Sequence, residues 1–378
     1  MRKWREDLNK RVGESIFLGA QKDYVTGELS GKSALTWLAY VISAIILATP
    51  IAMILGGLAI GIWGFPSIFS LFLMALLVAA GWWLLPRAYK LPQNALRRAD
   101  LPQTFAMTDQ IGKVLGAPPI TAIVIDESFN AAVVQNRRDT VLILGAILWE
   151  SLDGAERIAL IRHEMAHLVN NDPSKGAFVG AALQTIEGWS ELVQPSRIID
   201  PFEEENFIRG ANLIGDIITA TLGTLIDGVW SLLERLNYPP QQRAEYLADA
   251  LSAEVAGSAA PASLLEHLEM APRIRRAAGG LSSRNPPGGL EMIQRLAKAT
   301  RDVPDAERNE LLDDMRQSGH SINETHPPTV FRLAFLRTLP KQMAKITPDD
   351  ISCAAVDAEL SPHFARLGDK ISSRLIVQ

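Results

Sequence analysis

The distribution of apolar residues divides the chain into stretches that obey different rules. From Ser33 to Pro86 there is no Asp, Glu, Lys or Arg. This stretch holds two apolar runs, Ala34–Trp63 and Ile68–Leu85, separated by Gly64-Phe65-Pro66-Ser67. A run of about 20 apolar residues crosses a hydrocarbon core of about 30 Å, so the pattern predicts a transmembrane helical hairpin over 33–86. Trp63, Trp82 and Trp83 fall where a span meets the interface. Pro50 and Gly56-Gly57 predict a kink in the first helix.

Beyond the hairpin the periods change. Phe105–Leu115 reads as a helix stopped by Gly116 and Pro118-Pro119. Thr121–Ile125 and Thr140–Leu144 read as strands, with Phe129–Ala132 lying between them and a polar turn at Asn136–Asp139. Ile158, Ile161, Met165 and Leu168 recur at helical spacing in a helix over 158–172, and Asp153 with Glu156 forms a capping box at its start.

Two apolar helices with a polar stripe follow. Ala177–Leu192 carries Gln184, Glu187 and Glu191; Ala211–Leu233 carries Asp216, Thr219, Gly223 and Asp227. They read as further spans, as core helices, or as helices lying on the bilayer. Pro239-Pro240 opens a helix over Gln241–Val255, and 261–325 is polar and helical, broken at Gly279-Gly280 and at 285–289. His326-Pro327-Pro328-Thr329 opens a last helix through Leu336.

The whole predicts a mainly α fold with a small β-sheet. Its parts are a cytoplasmic tail (1–32), a transmembrane helical hairpin (33–86), a folded domain (87–345) and a C-terminal tail (346–378). Within the domain, 177–233 supplies the candidate extra membrane or membrane-dipping helices.

Charge sets the orientation. Lys32 precedes the hairpin, Arg87, Lys90, Arg97 and Arg98 follow it, and its turn is uncharged. Both ends are therefore expected on the cytoplasmic side. The net charge of −5 argues against nucleic acid as a partner. A long polar stretch precedes the first apolar run, so no secretory signal peptide is expected. Cys353 is the one cysteine, which excludes an intrachain disulfide and suits a reducing compartment. It also leaves any zinc to His and carboxylate ligands.

The chemistry sits in the helix over 158–172. His163-Glu164-Met165-Ala166-His167 is an HExxH pattern. On a helix the two histidines lie one turn apart on one face and can grip one Zn²⁺. Glu164 is then placed to take a proton from water and pass it to a leaving amine. A third ligand is needed. The pattern HExxHxxGxxH is absent, because Asn170 and Pro173 occupy those positions. Glu245 is the choice, on a well-marked helix with Asp249 one turn on, where Asp249 can fix the tautomer of a liganding histidine. The competing readings are a surface Glu245 beside a pairing Asp249, or ligation by His267 or His320, each of which reads better as an exposed polar residue. Ahead of the helix stands a short sheet whose edge, near Asn130 and Ala131, can hold an extended substrate by strand addition. A purely structural sheet fits the same pattern.

Four stretches in this order resemble the HtpX-like membrane zinc metallopeptidases of the gluzincin type, relatives of the CAAX prenyl proteases. They are Asn130-Ala131 before a strand, RHEMAHLVNND, RAEYLAD and THPPTVFR, behind a two-span hairpin. The resemblance covers Leu35 to Arg337. It implies a zincin-like metallopeptidase domain and a third zinc ligand at Glu245. It further implies His326 as an oxyanion donor and Arg332 as the partner of a buried acid such as Asp249. The activity implied is that of a zinc metalloendopeptidase in the inner (plasma) membrane, multi-pass, with a cytoplasmic catalytic domain. Its substrates would be membrane or unfolded proteins, in protein quality control. The alternatives are a zinc-stabilised membrane chaperone or scaffold without activity, and a prenyl-protein protease, which needs more spans than the pattern shows. Nothing in the sequence specifies an oligomeric state.

Overall fold

The structure, a computed structural model, describes residues 2–26, 34–86, 91–135, 139–169, 177–193, 209–281, 286–317 and 326–377. In chain order the first helices are α1 (Arg2–Thr26), α2 (Ala34–Trp63), α3 (Ile68–Leu84) and α4 (Pro102–Leu115). Strands β1 (Ala122–Asp126), β2 (Ala131–Gln135) and β3 (Thr140–Gly145) follow. Next come α5 (Ala146–Ser151), α6 (Gly154–Val169), α7 (Ala177–Val193) and α8 (Arg209–Ala256). The chain continues through α9 (Ala259–Leu268), α10 (Pro272–Gly279), α11 (Gly289–Arg301), α12 (Asp305–Gln317), α13 (Thr329–Thr338) and α14 (Cys353–Val377). The fold is thus mainly helical with one small mixed sheet, and it divides into two compact units.

The first unit comprises Met1–Leu29, Lys90–Lys175 and Gln241–Gln378. Its sheet has the order β1-β3-β2, with β1 parallel and β2 antiparallel to β3. In the register Ala131 faces Leu144 and Gln135 faces Thr140. Leu96 bridges to Ile123 on the outer side of β1, so β2 forms the sheet's other edge. Strand β2 corrects the sequence reading, which placed 129–132 between two strands. Its two alanines give the alternation little contrast, although Ala131 and Val133 do point into the core. Gly145 is required here: a Cβ on it would meet the Ser128 carbonyl oxygen at 2.0 Å and that of Asn130 at 2.6 Å. That close passage holds Asn130 beside the end of β3, where its carbonyl accepts the Gly145 N–H at 3.0 Å.

The core of this unit gathers Phe105 from α4, Ile123, Leu142 and Leu144 from the sheet, Trp149 from α5, and Ile158 and Ile161 from α6. Helix α6 opens on a reciprocal capping box, Glu156 N–H to Asp153 Oδ1 at 2.8 Å and Asp153 N–H to Glu156 Oε2 at 3.0 Å. Residues 170–172 of the expected helix lie outside the described residues, as do 136–138, 195–208, 285 and His320.

Both chain ends differ from the tails expected of them. In α14, Val356, Leu360 and Phe364 are buried in the same core as Trp149. The cause is visible in spacing: those positions recur every four residues, a helical apolar stripe that Pro362 interrupts only on its exposed side. Near the N-terminus, Ile16 and Ala20 of α1 are buried with Tyr246, Leu333 and Phe335 in a second core. Phe17 stands edge-on to Tyr246 at 6.0 Å.

The second unit comprises Ser30–Tyr89 and Gly176–Pro240. Ala39 and Ile46 of α2 bury against Val179, Ala182 and Ile186 of α7 and Leu233 and Leu236 of α8. The polar stripe of α7 faces outward, with Gln184 and Glu187 exposed. Asp227 accepts a hydrogen bond from Ser190 at 2.9 Å. Leu35–Trp63 is the one helix among the described residues long and apolar enough to cross a membrane, with a mean hydropathy of 2.4. Helix α3 is as apolar but has 17 residues, roughly 26 Å of rise against a core of about 30 Å. Helix α8 also departs from expectation. It runs through Pro239 and Pro240 without restarting, although each proline lacks the N–H for a bond four residues back and its ring crowds that carbonyl.

Candidate metal centre

Two helices of the first unit meet at the site. Helix α6 presents His163 and His167; the Gln241–Ala256 part of α8 presents Glu245 and Asp249. Two polar contacts hold these segments in register. Ser252 Oγ donates to the Ala159 carbonyl at 2.9 Å, and Arg162 Nε donates to the Leu251 carbonyl at 3.0 Å. Sequence reasoning missed both, although Arg162 lies beside the motif and Ser252 lies seven residues after Glu245.

The three expected ligands converge. His163, His167 and Glu245 are all buried and offer donor atoms within 4.8 Å of one another. His163 Nε2 and His167 Nε2 are 3.3 Å apart. Glu245 Oε2 lies 3.4 Å from His163 Nε2, and Oε1 lies 3.4 Å from His167 Nε2. Bonds of about 2.0–2.1 Å in a tetrahedron have edges of roughly 3.3–3.4 Å. The two imidazole nitrogens stand one such edge apart, and Glu245 turns one carboxylate oxygen to each of them. Two imidazoles and one carboxylate also form the donor set of catalytic zinc sites that keep an open position.

Without a metal, His163 and Arg332 supply the positive charge that faces the buried carboxylates. Burial pushes the His163 pKa down, but bonds to Asp249 and Glu245 outweigh it and raise the value to about 9. Burial pushes Glu245 up, yet His163, His326 and the charge of Arg332 hold it well below the carboxylate range. Asp249 is likewise lowered, with burial opposed by the charge and hydrogen bonds of Arg332 and by His163. The cluster thus stabilises its carboxylates as anions in a buried place.

Around the triangle, Asp249 Oδ1 lies 3.1 Å from His163 Nδ1. Arg332 on α13 grips Asp249 with two bonds, Nε to Oδ2 at 2.8 Å and Nη2 to Oδ1 at 2.7 Å. His326 is half exposed, with Nδ1 at 2.8 Å from Glu245 Oε2. Glu164, His326 and Asn130 share the lining of a cavity of about 120 Å³. His267 corrects its reading as an exposed residue. It is buried away from the triangle, 3.5 Å from Glu156, with Nε2 at 3.3 Å from Thr300. Glu156 makes the difference: the capping carboxylate of α6 needs a second buried partner, and a helical histidine on α9 meets it.

The profile of peptidase family M48 matches residues 105–339, more than half of the chain. The match takes in the sheet, both ligand-bearing segments and α13. No curated protein and no solved structure matches the chain.

Proposed function

This chain belongs to peptidase family M48, and from that premise we propose that it is an HtpX-like, membrane-anchored zinc endopeptidase. The carrying observation is the convergence of His163, His167 and Glu245, all buried, with donor atoms within 4.8 Å of one another. These three residues hold Zn²⁺. When bound, the ion supplies Lewis acidity to the scissile carbonyl and to a water.

The protein's own groups do the rest. Glu164, on the cavity wall, takes the proton of the attacking water and hands it to the departing amine. Asp249 fixes the tautomer of His163, and Arg332 fixes Asp249. In this reading His326, which lines the same cavity with Nδ1 at 2.8 Å from Glu245 Oε2, donates to the oxyanion. The β2 edge, entered at Asn130-Ala131, receives the substrate backbone as an added strand.

Membrane anchoring rests on the second unit. Val41, Ile45, Leu55 and Ile62 of α2 and Phe69, Phe72 and Leu76 of α3 are exposed, an arrangement suited to lipid. Trp63, Trp82 and Trp83 are exposed at helix ends, as an interfacial belt requires. Helices α2 and α3 form the hairpin, with the catalytic unit in the cytoplasm and membrane or unfolded proteins as substrates in quality control.

The test is proteolysis of casein by the zinc-loaded full chain. Chelator-sensitive cleavage is expected. Glu164→Gln should keep zinc and lose cleavage, whereas Glu245→Ala should lose zinc by metal analysis. Cleavage retained by Glu164→Gln would overturn the assignment.

A further inference from the structure

We propose that helix α1 clamps the metal centre from behind, and that Phe17 is the positioning residue through which it holds Glu245 and Arg332 in place. This rests on the metal reading above and adds a further part of the chain to it. Helix α1 precedes the family-matched residues 105–339, so its role does not follow from membership of the family.

On their polar side α8 and α13 are tied together by Arg332, which bonds twice to Asp249. Consecutive helical residues stand about 100° apart, so the neighbours Tyr246 and Phe331 leave these helices in another direction. Both meet one ring of α1. Phe17 stands edge-on to Tyr246 at 6.0 Å and 77°, and to Phe331 at 6.1 Å and 68°. Tyr246 directly follows Glu245, and Phe331 directly precedes Arg332.

Further along α1, Tyr24 stands edge-on to Phe335 at 6.2 Å, and Phe335 packs on Tyr246 at 5.2 Å. The rings of Phe17, Tyr246, Phe335 and Tyr24 thus make a circuit that starts and ends on α1. Aromatic pairs have preferred orientations as well as apolar area, so the circuit resists rotation of α8 and α13 about their axes. Helix α1 also lies against Arg243, two residues before Glu245: a Cβ on Gly19 would come within 2.6 Å of its Nη2. The histidines are held differently. Their helix α6 is anchored through Ile158, Ile161 and Met165 in the core of Trp149, whereas Tyr246 and Phe335 belong to the core that α1 completes. Loosening α1 therefore shifts Glu245 relative to His163 and His167.

Zinc affinity of the full chain, measured by chelator competition at a temperature where every variant is folded, should fall in the order wild type, Phe17→Leu, Phe17→Ala. The loss in Phe17→Ala should be about 10-fold. The absorption spectrum of Co²⁺ bound in place of zinc follows ligand geometry and should shift in the same variant. Val356→Ala, in the α14 part of the other core, is the control. It should lower the melting temperature and leave both metal readouts unchanged. In metal-free protein, amide hydrogen exchange in the Phe17 variants should quicken at 241–250 and 329–336 and stay unchanged at 158–166. Where Phe17→Ala does not fold, Phe17→Leu carries the same readouts. Unchanged affinity in the Phe17 variants, or an equal loss in Val356→Ala, would overturn the clamp. A wild-type chain that binds no zinc would instead overturn the metal reading, and the exchange pattern would still decide the clamp.

Discussion

Asp249 Oδ1 lies 3.1 Å from Nδ1 of His163, on the far side of the ring from the nitrogen that faces His167 and Glu245. The contact sets which nitrogen keeps the hydrogen, and so which one offers a lone pair to a metal. Asp249→Asn should lower zinc affinity about 10–100-fold, measured by competition with a chromogenic chelator, and should cost stability because Arg332 loses its buried counter-charge. Asp249→Ala should also destabilise, because it leaves Arg332 buried without its two bonds. Losing one partner of a buried ion pair costs about 3–5 kcal/mol, readable as the midpoint of denaturant unfolding.

A second prediction concerns register between the ligand-bearing helices. Ser252 Oγ is fully buried and donates to the Ala159 carbonyl, four residues before His163. Ser252→Ala removes one donor at roughly 1 kcal/mol. The expected result is a lower melting temperature together with weaker zinc binding, since the two helices lose a shared anchor. A melting shift without any change in zinc affinity would show that Ser252 serves stability alone.

What the sequence made legible follows from where each signal lives. The HExxH spacing, the capping box and the apolar helix α2 are local patterns, and the structure contains all three as helices in their expected places. Glu245 was recognisable through its helix, through Asp249 and through the resemblance carried by RAEYLAD. Its distance of 3.4 Å from both histidines is a tertiary fact. The partners of His267 were not recoverable, because Glu156 and Thr300 come from two other segments. Strand β2 was hidden by its small alanines. Helix α14 was not hidden: Val356, Leu360 and Phe364 carried its stripe in plain view.

The Glu156 cluster yields a pH prediction. Burial pushes the carboxyl up, but bonds from His267, Ser263 and the Asp153 N–H outweigh this and hold its pKa below the usual 4.5. A carboxyl depressed on folding contributes stability that is complete above its unfolded pKa and lost as pH falls through its folded one. In metal-free protein, Glu156→Gln should therefore lower stability at neutral pH. The gap from wild type should shrink as pH falls below about 4. Thermal melts of both proteins across that range would check it. A constant gap would mean that the lost interaction is not the ionised one.

The last prediction concerns α14 and the start of α4. The residue before α4, Leu101, has no side-chain oxygen to cap the helix. The cap comes from across the chain. Glu359 of α14 accepts the Gln103 N–H at 2.7 Å, the Thr104 N–H at 2.9 Å and the Thr104 hydroxyl at 3.0 Å. A carboxylate at a helix N-terminus also meets the positive end of the helix dipole. Removing a side-chain cap costs about 0.5–2 kcal/mol, so Glu359→Ala should destabilise by that amount. Glu359→Gln should recover part of it, because an amide oxygen still accepts. Nearby, Asp357 receives two bonds from Arg157 at 2.9 and 3.0 Å, and Arg157 lies over the Trp149 ring at 4.9 Å. A chain ending at residue 345 loses the contacts of Glu359 and Asp357 together with Val356, Leu360 and Phe364. Burying each such side chain stabilises by about 1.5–3 kcal/mol, and a domain has only about 5–15 kcal/mol in all. The shortened protein should therefore fail to fold its catalytic unit, and limited proteolysis should degrade residues 105–339 in it while leaving them protected in the full chain.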